Sequence, residues 1–260
     1  MKEEIIKKIA MSIVEAEDDC KPIKKVSEQY DDLTIDDAYM IQKEVFKIKT
    51  SRGERIIGKK IGLTSQGIRK QIGVHEPDFS FITDRNFLPQ YEKIKLSEQI
   101  NPKLEPELAF LMNKDLNTDV VTNWQVIDAI EGIFPAFEIV DTRFGKYDFT
   151  IIDTISDSAS YGKITVGNTI VGVKDVDLNN VGLNIYRDGE LINTATSKEV
   201  MGNPINSVTW LANKMIELGS FIKKGDIILS GSFTPVLDIK SGEKYKADFS
   251  GIGSVEIEVE

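Results

Sequence analysis

Two glutamates one residue apart, Glu105 and Glu107 in NPKLEPELAFLMN (101–113), are where the residue types and spacing first suggest chemistry. In an extended chain residues i and i+2 share a face, so both carboxylates point the same way, about 7 Å apart along the strand. Leu104, Leu108 and Phe110 are their neighbours in sequence. Like charges close together in a dry place repel, and each costs free energy to desolvate. A third carboxylate, Glu138, lies in PAFEIVD between Phe137 and Ile139. One divalent cation would answer both problems, with two ligands from a Glu-x-Glu strand and a third from a neighbouring strand. Waters would complete the near-octahedral shell that Mg²⁺ prefers. The spacing alone also fits an exposed strand face, and Glu138 alone fits a structural ion pair with Lys60.

Lys60 sits in GKKIGLTS between Gly58 and Gly62, which suggests a backbone that approaches something closely. Near a metal it could work as an acid/base or hold a carboxylate; elsewhere it is a solvated lysine. Asp78 follows Pro77 in HEPDF, the pattern of a turn residue. Ser160 lies in DTISDSASYGKITVG, which reads as a loop around an anion or as a polar turn, and LSGSFTPV (229–236) has the same ambiguity. His75 is the only histidine and Cys20 the only cysteine. A His- or Cys-rich zinc site is therefore excluded within one chain, and any metal here is held by oxygen, as Mg²⁺, Mn²⁺ or Ca²⁺ are. No activating carboxylate motif surrounds His75, which reads as a partly exposed loop residue.

The elements that must position these groups follow from periodicity. Residues 2–19 form an amphipathic helix, and a second begins after Thr34 as N-cap and runs to Gly53. RIIGKKIGLT is a strand and turn, SQGIRKQIG a short helix, KLEPELAFLM a strand. TNWQVIDAIEGIF is a helix capped by Thr122, and PAFEIVDTRF a strand. KITVGNTIVG and VGLNIYRDGELINTATS are strands, the latter with a hairpin at Arg187-Asp188-Gly189. NPINSVTWLANKMIELG is a helix, and DIILSGSFTPVL, EKYKADFS and GSVEIEVE are strands. This is an α+β pattern, a mixed β-roll preceded by a helical region, with a division near residue 75. It gives a mostly helical stretch over 1–75 and a β-roll over 76–260.

A composition with 41% apolar and 28% charged residues is ordinary for a globular chain. A formal charge of −10 argues against nucleic acid and anionic membrane surfaces as partners. The N-terminal helix lacks the apolar core of a signal peptide, no apolar run reaches a membrane span, and a lone cysteine fits a reducing cytoplasm.

Taken in order, DDAYMIQ (36–42), GKKIGLTS (58–65), EPDF (76–79), LEPELAF (104–110), PAFEIVDTRF (135–144), DTISDSAS (153–160), NPINSVTWLANK (203–214) and ILSGSFTPV (228–236) resemble the 2-oxopent-4-enoate hydratase and 4-oxalocrotonate decarboxylase family of the fumarylacetoacetate hydrolase superfamily. The resemblance covers essentially the full length. It implies the superfamily's β-roll and a Mg²⁺- or Mn²⁺-dependent enzyme of aromatic meta-cleavage catabolism. Glu105, Glu107 and Glu138 match the metal ligands, and Lys60, Asp78 and Ser160 match polar positions beside a small anionic 2-oxo or 2-hydroxy acid. The implied reaction adds water to 2-hydroxypenta-2,4-dienoate to give 4-hydroxy-2-oxopentanoate. The alternative is decarboxylation of 2-oxo-3-hexenedioate, and LSGSFTPV leans to the hydratase. A superfamily hydrolase of β-diketone acids is disfavoured by the single histidine, and a non-catalytic domain with a structural cation is the remaining reading. The resemblance also implies a homo-oligomer, with a complex with a pathway aldolase or decarboxylase left open. One departure is Asn203 in GNP, where the family often has histidine.

Overall fold

The computed structural model describes residues 2–90 and 92–260. In chain order the elements are α1 (Lys2–Asp19), α2 (Val26–Gln29), α3 (Ile35–Ser51), β1 (Ile56–Gly62), α4 (Gln66–Ile72), β2 (Asp78–Thr83), β3 (Lys93–Ile94), β4 (Pro102–Met112), α5 (Asn123–Ala129), β5 (Ile130–Asp141), α6 (Ile151–Ser156), β6 (Tyr161–Val166), β7 (Gly182–Arg187), β8 (Glu190–Thr196), α7 (Pro204–Glu217), β9 (Ile227–Leu229), β10 (Leu237–Asp238), β11 (Lys244–Phe249) and β12 (Gly253–Val259).

Helix α1 buries Ile6, Ile9, Ala10, Ile13 and Val14, one face at a spacing of three and four. That stripe packs on Ile41 and Val45 of α3. Helix α3 opens with the expected Thr34 cap, whose hydroxyl accepts from the Asp37 amide while the Asp37 carboxylate accepts from the Thr34 amide. The buried Gln42 of α3 donates to Phe79 O (2.8 Å) and Ile155 O (3.2 Å), which pins the helical layer to the sheet.

Among the described residues the larger sheet has the order β2-β1-β9-β4-β5-β6, with β10 on β4, and the smaller runs β3-β12-β11-β7-β8. Leu104, Leu108, Phe110, Phe137 and Ile139 of the first sheet join Leu183, Ile185, Ala247, Phe249 and Val255 of the second in one core. The β7–β8 hairpin turns at Asp188 and Gly189, both in the left-handed region (φ 52° and 85°), the pair that a two-residue turn with right-handed strand twist requires. Among the described residues no helix is long and apolar enough to cross a membrane.

The structure differs from the sequence expectation in three places. The division expected near residue 75 falls inside the sheet's territory: β1, at 56–62, pairs with both β2 and β9. The helix expected through Phe134 stops at Ala129, because Ile130–Phe134 pair with Met112–Ala109 of β4, and strand partners outweigh local propensity. DTIS is helical rather than loop: Thr150 and Asp153 form a reciprocal cap that starts α6.

Candidate metal centre and its cleft

The register of β4 and β5 places Glu105 directly opposite Glu138, and Glu107 lies two residues along on the same face. One oxygen from each of the three carboxylates lies within 4.8 Å of the others. Glu107 and Glu138 are fully buried and Glu105 is half-buried. Leu104, Leu108, Phe137 and Ile139 occupy the opposite face in the core, so alternation separates the charges from the apolar residues beside them in sequence.

Pro106 explains why the site opens here. It has no N–H for a ladder, and β9 and β10 pair with β4 only beyond it on either side. The segment 230–233 docks on that gap: Ser230 N donates to Leu108 O and Phe233 N to Pro106 O. Gly231 N then donates to Glu107 Oε2 at 2.7 Å. Gly231 has a φ of +99°, and a Cβ there would meet Thr64 Oγ1 at 2.3 Å, so only glycine fits.

Glu107 Oε1 and both oxygens of Glu138 have no hydrogen-bond partner among the described residues. Lys60 Nζ lies 3.1 Å from Glu138 Oε1, near enough to pair, but off the hydrogen-bond direction. Burial drives the Glu107 carboxyl well above the usual range, with Glu138 and Glu105 adding to it. Burial also raises Glu105, against the pull of Lys60, and pushes Glu138 up to about 8. Burial opposes the charge on Lys60, but Glu138, Glu105, Asp78 and Glu107 overcome it and raise its pKa. One ammonium facing three carboxylates leaves a deficit of two positive charges. An all-oxygen donor set with orphaned, buried lone pairs and that deficit fits a hard divalent cation.

Lys60, Asp78, Glu105 and Ser160 line one cleft of about 580 Å³. Lys60 donates to Ala159 O at 2.7 Å. Asp78, opposite Gly62 in the ladder, accepts from Thr154 Oγ1 at 2.7 Å through Oδ2, and its Oδ1 has no hydrogen-bond partner among the described residues. A Cβ on residue 62 would lie 2.2 Å from that oxygen, so Gly62 makes room for it. Burial raises the Asp78 pKa against the pull of Lys60. Ser160 Oγ makes only a long contact, 3.5 Å, to Asp157 Oδ2.

Ser158, Ala159 and Ser160 are all left-handed, with φ of 55°, 51° and 54°. Three non-glycine residues in that region cost roughly 1–3 kcal/mol each, so the surroundings must hold them. Buried Arg143 does so: its Nε meets Asp157 Oδ1 at 2.5 Å, its Nη2 bonds Asp157 O, and Nη1 donates to Asp141 O and Tyr161 O. Sequence reasoning missed Arg143, Asp157 and Thr154. Arg143 and Asp157 are separated by a segment that includes Phe144, Tyr147, Phe149 and Ile151, so no local pattern joins them. His75 is exposed and away from the cleft lining. Asn203 caps α7, its Oδ1 accepting from Ile205 N at 2.8 Å.

Residues 64–260 match the family described as fumarylacetoacetate (FAA) hydrolase C-terminal. The chain is 37% identical to a 2-keto-4-pentenoate hydratase of Paraburkholderia xenovorans (strain LB400), over 96% of this chain and 93% of that one. It is 33% identical to a 2-hydroxyhexa-2,4-dienoate hydratase of Comamonas testosteroni, over 95% and 94%. The structure of 4-oxalocrotonate decarboxylase from Pseudomonas putida G7, complexed with magnesium and adipate, superimposes with a TM-score of 0.97 at 30% identity, covering 100% of this chain and 99% of that one.

Proposed function

The chain belongs to the fumarylacetoacetate hydrolase family, and from that premise we infer that it is a metal-dependent hydratase converting 2-hydroxypenta-2,4-dienoate to 4-hydroxy-2-oxopentanoate in aromatic catabolism. The observation that carries this reading is the meeting of three buried carboxylates and one ammonium at a cleft, in a chain that matches hydratases along almost its whole length.

Glu105, Glu107 and Glu138 are the residues that would hold Mg²⁺ or Mn²⁺. Such an ion supplies Lewis-acid stabilisation of negative charge on the substrate's C2 oxygen. The remaining work falls to the chain's own groups. Lys60 spends one N–H on Ala159 O and turns toward Glu138, which leaves a donor for the C2 oxygen as its hydroxyl proton departs. Asp78 Oδ1, the free oxygen beside Lys60, takes up the C2 hydroxyl proton and delivers a proton to C5, giving the conjugated 2-oxo-3-enoate and leaving Asp78 as it began. Thr154 fixes the other Asp78 oxygen and so aims the carboxyl. Water then adds across the remaining double bond, hydroxyl to C4 and proton to C3. Ser160 offers its hydroxyl to the substrate carboxylate.

The test is incubation of purified protein and Mg²⁺ with 2-hydroxypenta-2,4-dienoate and, separately, with 2-oxo-3-hexenedioate. Formation of 4-hydroxy-2-oxopentanoate from the first supports the hydratase. CO₂ release from the second without hydration of the first overturns it in favour of a decarboxylase. That second reading is kept alive by the full-length superposition on such an enzyme.

A further inference from the structure

The cleft is larger than the proposed substrate needs. 2-Hydroxypenta-2,4-dienoate has eight heavy atoms. Even at the ~30 Å³ that a whole water molecule takes in the liquid, these fill about 240 Å³, less than half of the 580 Å³ present. Exposure separates floor from rim: Lys60 and Asp78 are 2% and 1% exposed, while Ile68 and Val236 in the same wall are 37% and 38% exposed. Leu63, Phe149 and Phe233 extend the apolar lining between them. An apolar wall left open around unused volume is the ordinary form of a subsite for an apolar group.

The charges in the wall are equally one-sided. Lys60 is the only lysine or arginine among the described lining residues, and it belongs to the floor. At the rim the only charge among the described lining residues is Glu199, in the short helical turn (Ser197–Glu199) that follows β8 of the second sheet, exposed and without an ion-pair partner among the described residues. Arg69, which follows Ile68, is spent on Leu63 O and Thr64 O. A substrate's first carboxylate has Lys60 and the metal centre to meet it. A second one, six carbons along, would find no cation and one carboxylate.

We propose that the outer part of this cleft is an apolar subsite for an uncharged substituent on C5 of the dienoate, and that Glu199 is the specificity residue that turns away a second carboxylate. This rests on the hydratase reading for its substrate head group, and what it adds is the residue that keeps a second carboxylate out of the cleft.

Two six-carbon 2-oxo acids that differ only at C6 test it without turnover. Calorimetry in the presence of Mg²⁺ should show 2-oxohexanoate binding at least about fivefold more tightly than 2-oxoadipate. Glu199→Gln should narrow that ratio by roughly two- to fivefold, the size of one solvent-screened charge pair. Val236→Asp should weaken 2-oxohexanoate relative to 2-oxobutanoate. In turnover, 2-hydroxyhexa-2,4-dienoate should match or exceed the five-carbon substrate in kcat/KM. Equal or tighter binding of 2-oxoadipate, or a ratio that Glu199→Gln leaves unchanged, overturns the proposal. Failure to hydrate either dienoate would instead remove the hydratase reading beneath it, whatever the binding ratio.

Discussion

Lys60 Nζ donates to the carbonyl oxygen of Ala159 at 2.7 Å, and Ala159 is a non-glycine residue held in the left-handed region with φ of 51°. A cation on a central strand is thereby aimed by a strained turn 99 residues further along the chain. A carbonyl presented in that way fixes one N–H of the ammonium, and Glu138 fixes its approach to the carboxylates.

Substituting Lys60→Ala removes the one ammonium that, among the described residues, faces the three carboxylates. Turnover with Mg²⁺ should fall by about 10²–10³-fold, the usual loss for one donor to a developing oxyanion. Thermal melting in chelator should also fall, because the acids lose their sole counter-charge, and saturating Mg²⁺ should recover most of that loss. Steady-state kinetics beside melting curves with and without metal check both halves.

Glu107→Gln acts in the opposite direction on the metal-free protein. It replaces a buried acid whose charged form burial and two neighbouring carboxyls disfavour, while an amide oxygen can still accept from Gly231 N. Melting in chelator should hold steady or rise. Mg²⁺ affinity by calorimetry should drop at least about tenfold. The metal-induced gain in stability, about 2.7 kcal/mol when metal is at a hundred times its Kd, should shrink with it. Unchanged affinity would remove Glu107 from the ligand set.

Arg143→Lys keeps a charge but loses the planar fork that grips Asp157 and two carbonyls. Breaking such a buried pair costs about 3–5 kcal/mol, so urea unfolding should shift by that order. Ala159→Gly should act the other way, since glycine adopts φ of 51° without strain; a gain of about 1 kcal/mol is expected. If Ala159→Gly is instead the more harmful of the two, the turn is not the strained element described.

Acid stability should report on the helical layer. Burial works against ionised Asp37, but Lys2 at 2.8 Å and the Thr34 hydroxyl and amide lower its pKa to about 2. An acid with a depressed folded pKa stabilises the native state above its unfolded value, near 4, and that contribution disappears as pH falls from about 4 to about 2. Asp37→Asn should therefore flatten the stability profile across that window and leave the slope around neutral pH unchanged. Circular dichroism melts at successive pH values test it.

The parts legible in the sequence are those with short-range signatures. The strand period of two put Glu105 and Glu107 on one face, and the helical spacing of Ile6 to Val14 and the Thr34 cap gave α1 and α3. Glu138 was readable as an ionisable group between Phe137 and Ile139, though its register opposite Glu105 was not. What sequence could not show depends on distant partners. Ile130–Phe134 have helical neighbours, but β4 claims them as strand. Arg143 and Asp157 bear no local mark of their joint task, and the place of β1 in the sheet is set by β9, some 170 residues away. The T-x-x-D cap of α6 was present at Thr150 and Asp153, hidden among residues that also suit a turn.

The insertion of β9 has a consequence for the order of assembly. Among the described residues this three-residue strand is the sole link in the ladder between β1, which bears Lys60, and β4, which bears Glu105 and Glu107. As the chain leaves the ribosome, β4 and β5 can meet as neighbours and bring the acids together before β9 joins β1 to the same ladder. The bonds from Lys60 to Ala159 O and from Thr154 to Asp78 can tie the two halves earlier, but the continuous ladder closes only after residue 229 emerges. In that interval an oxygen-seeking cation is a ready counter-charge for the acids.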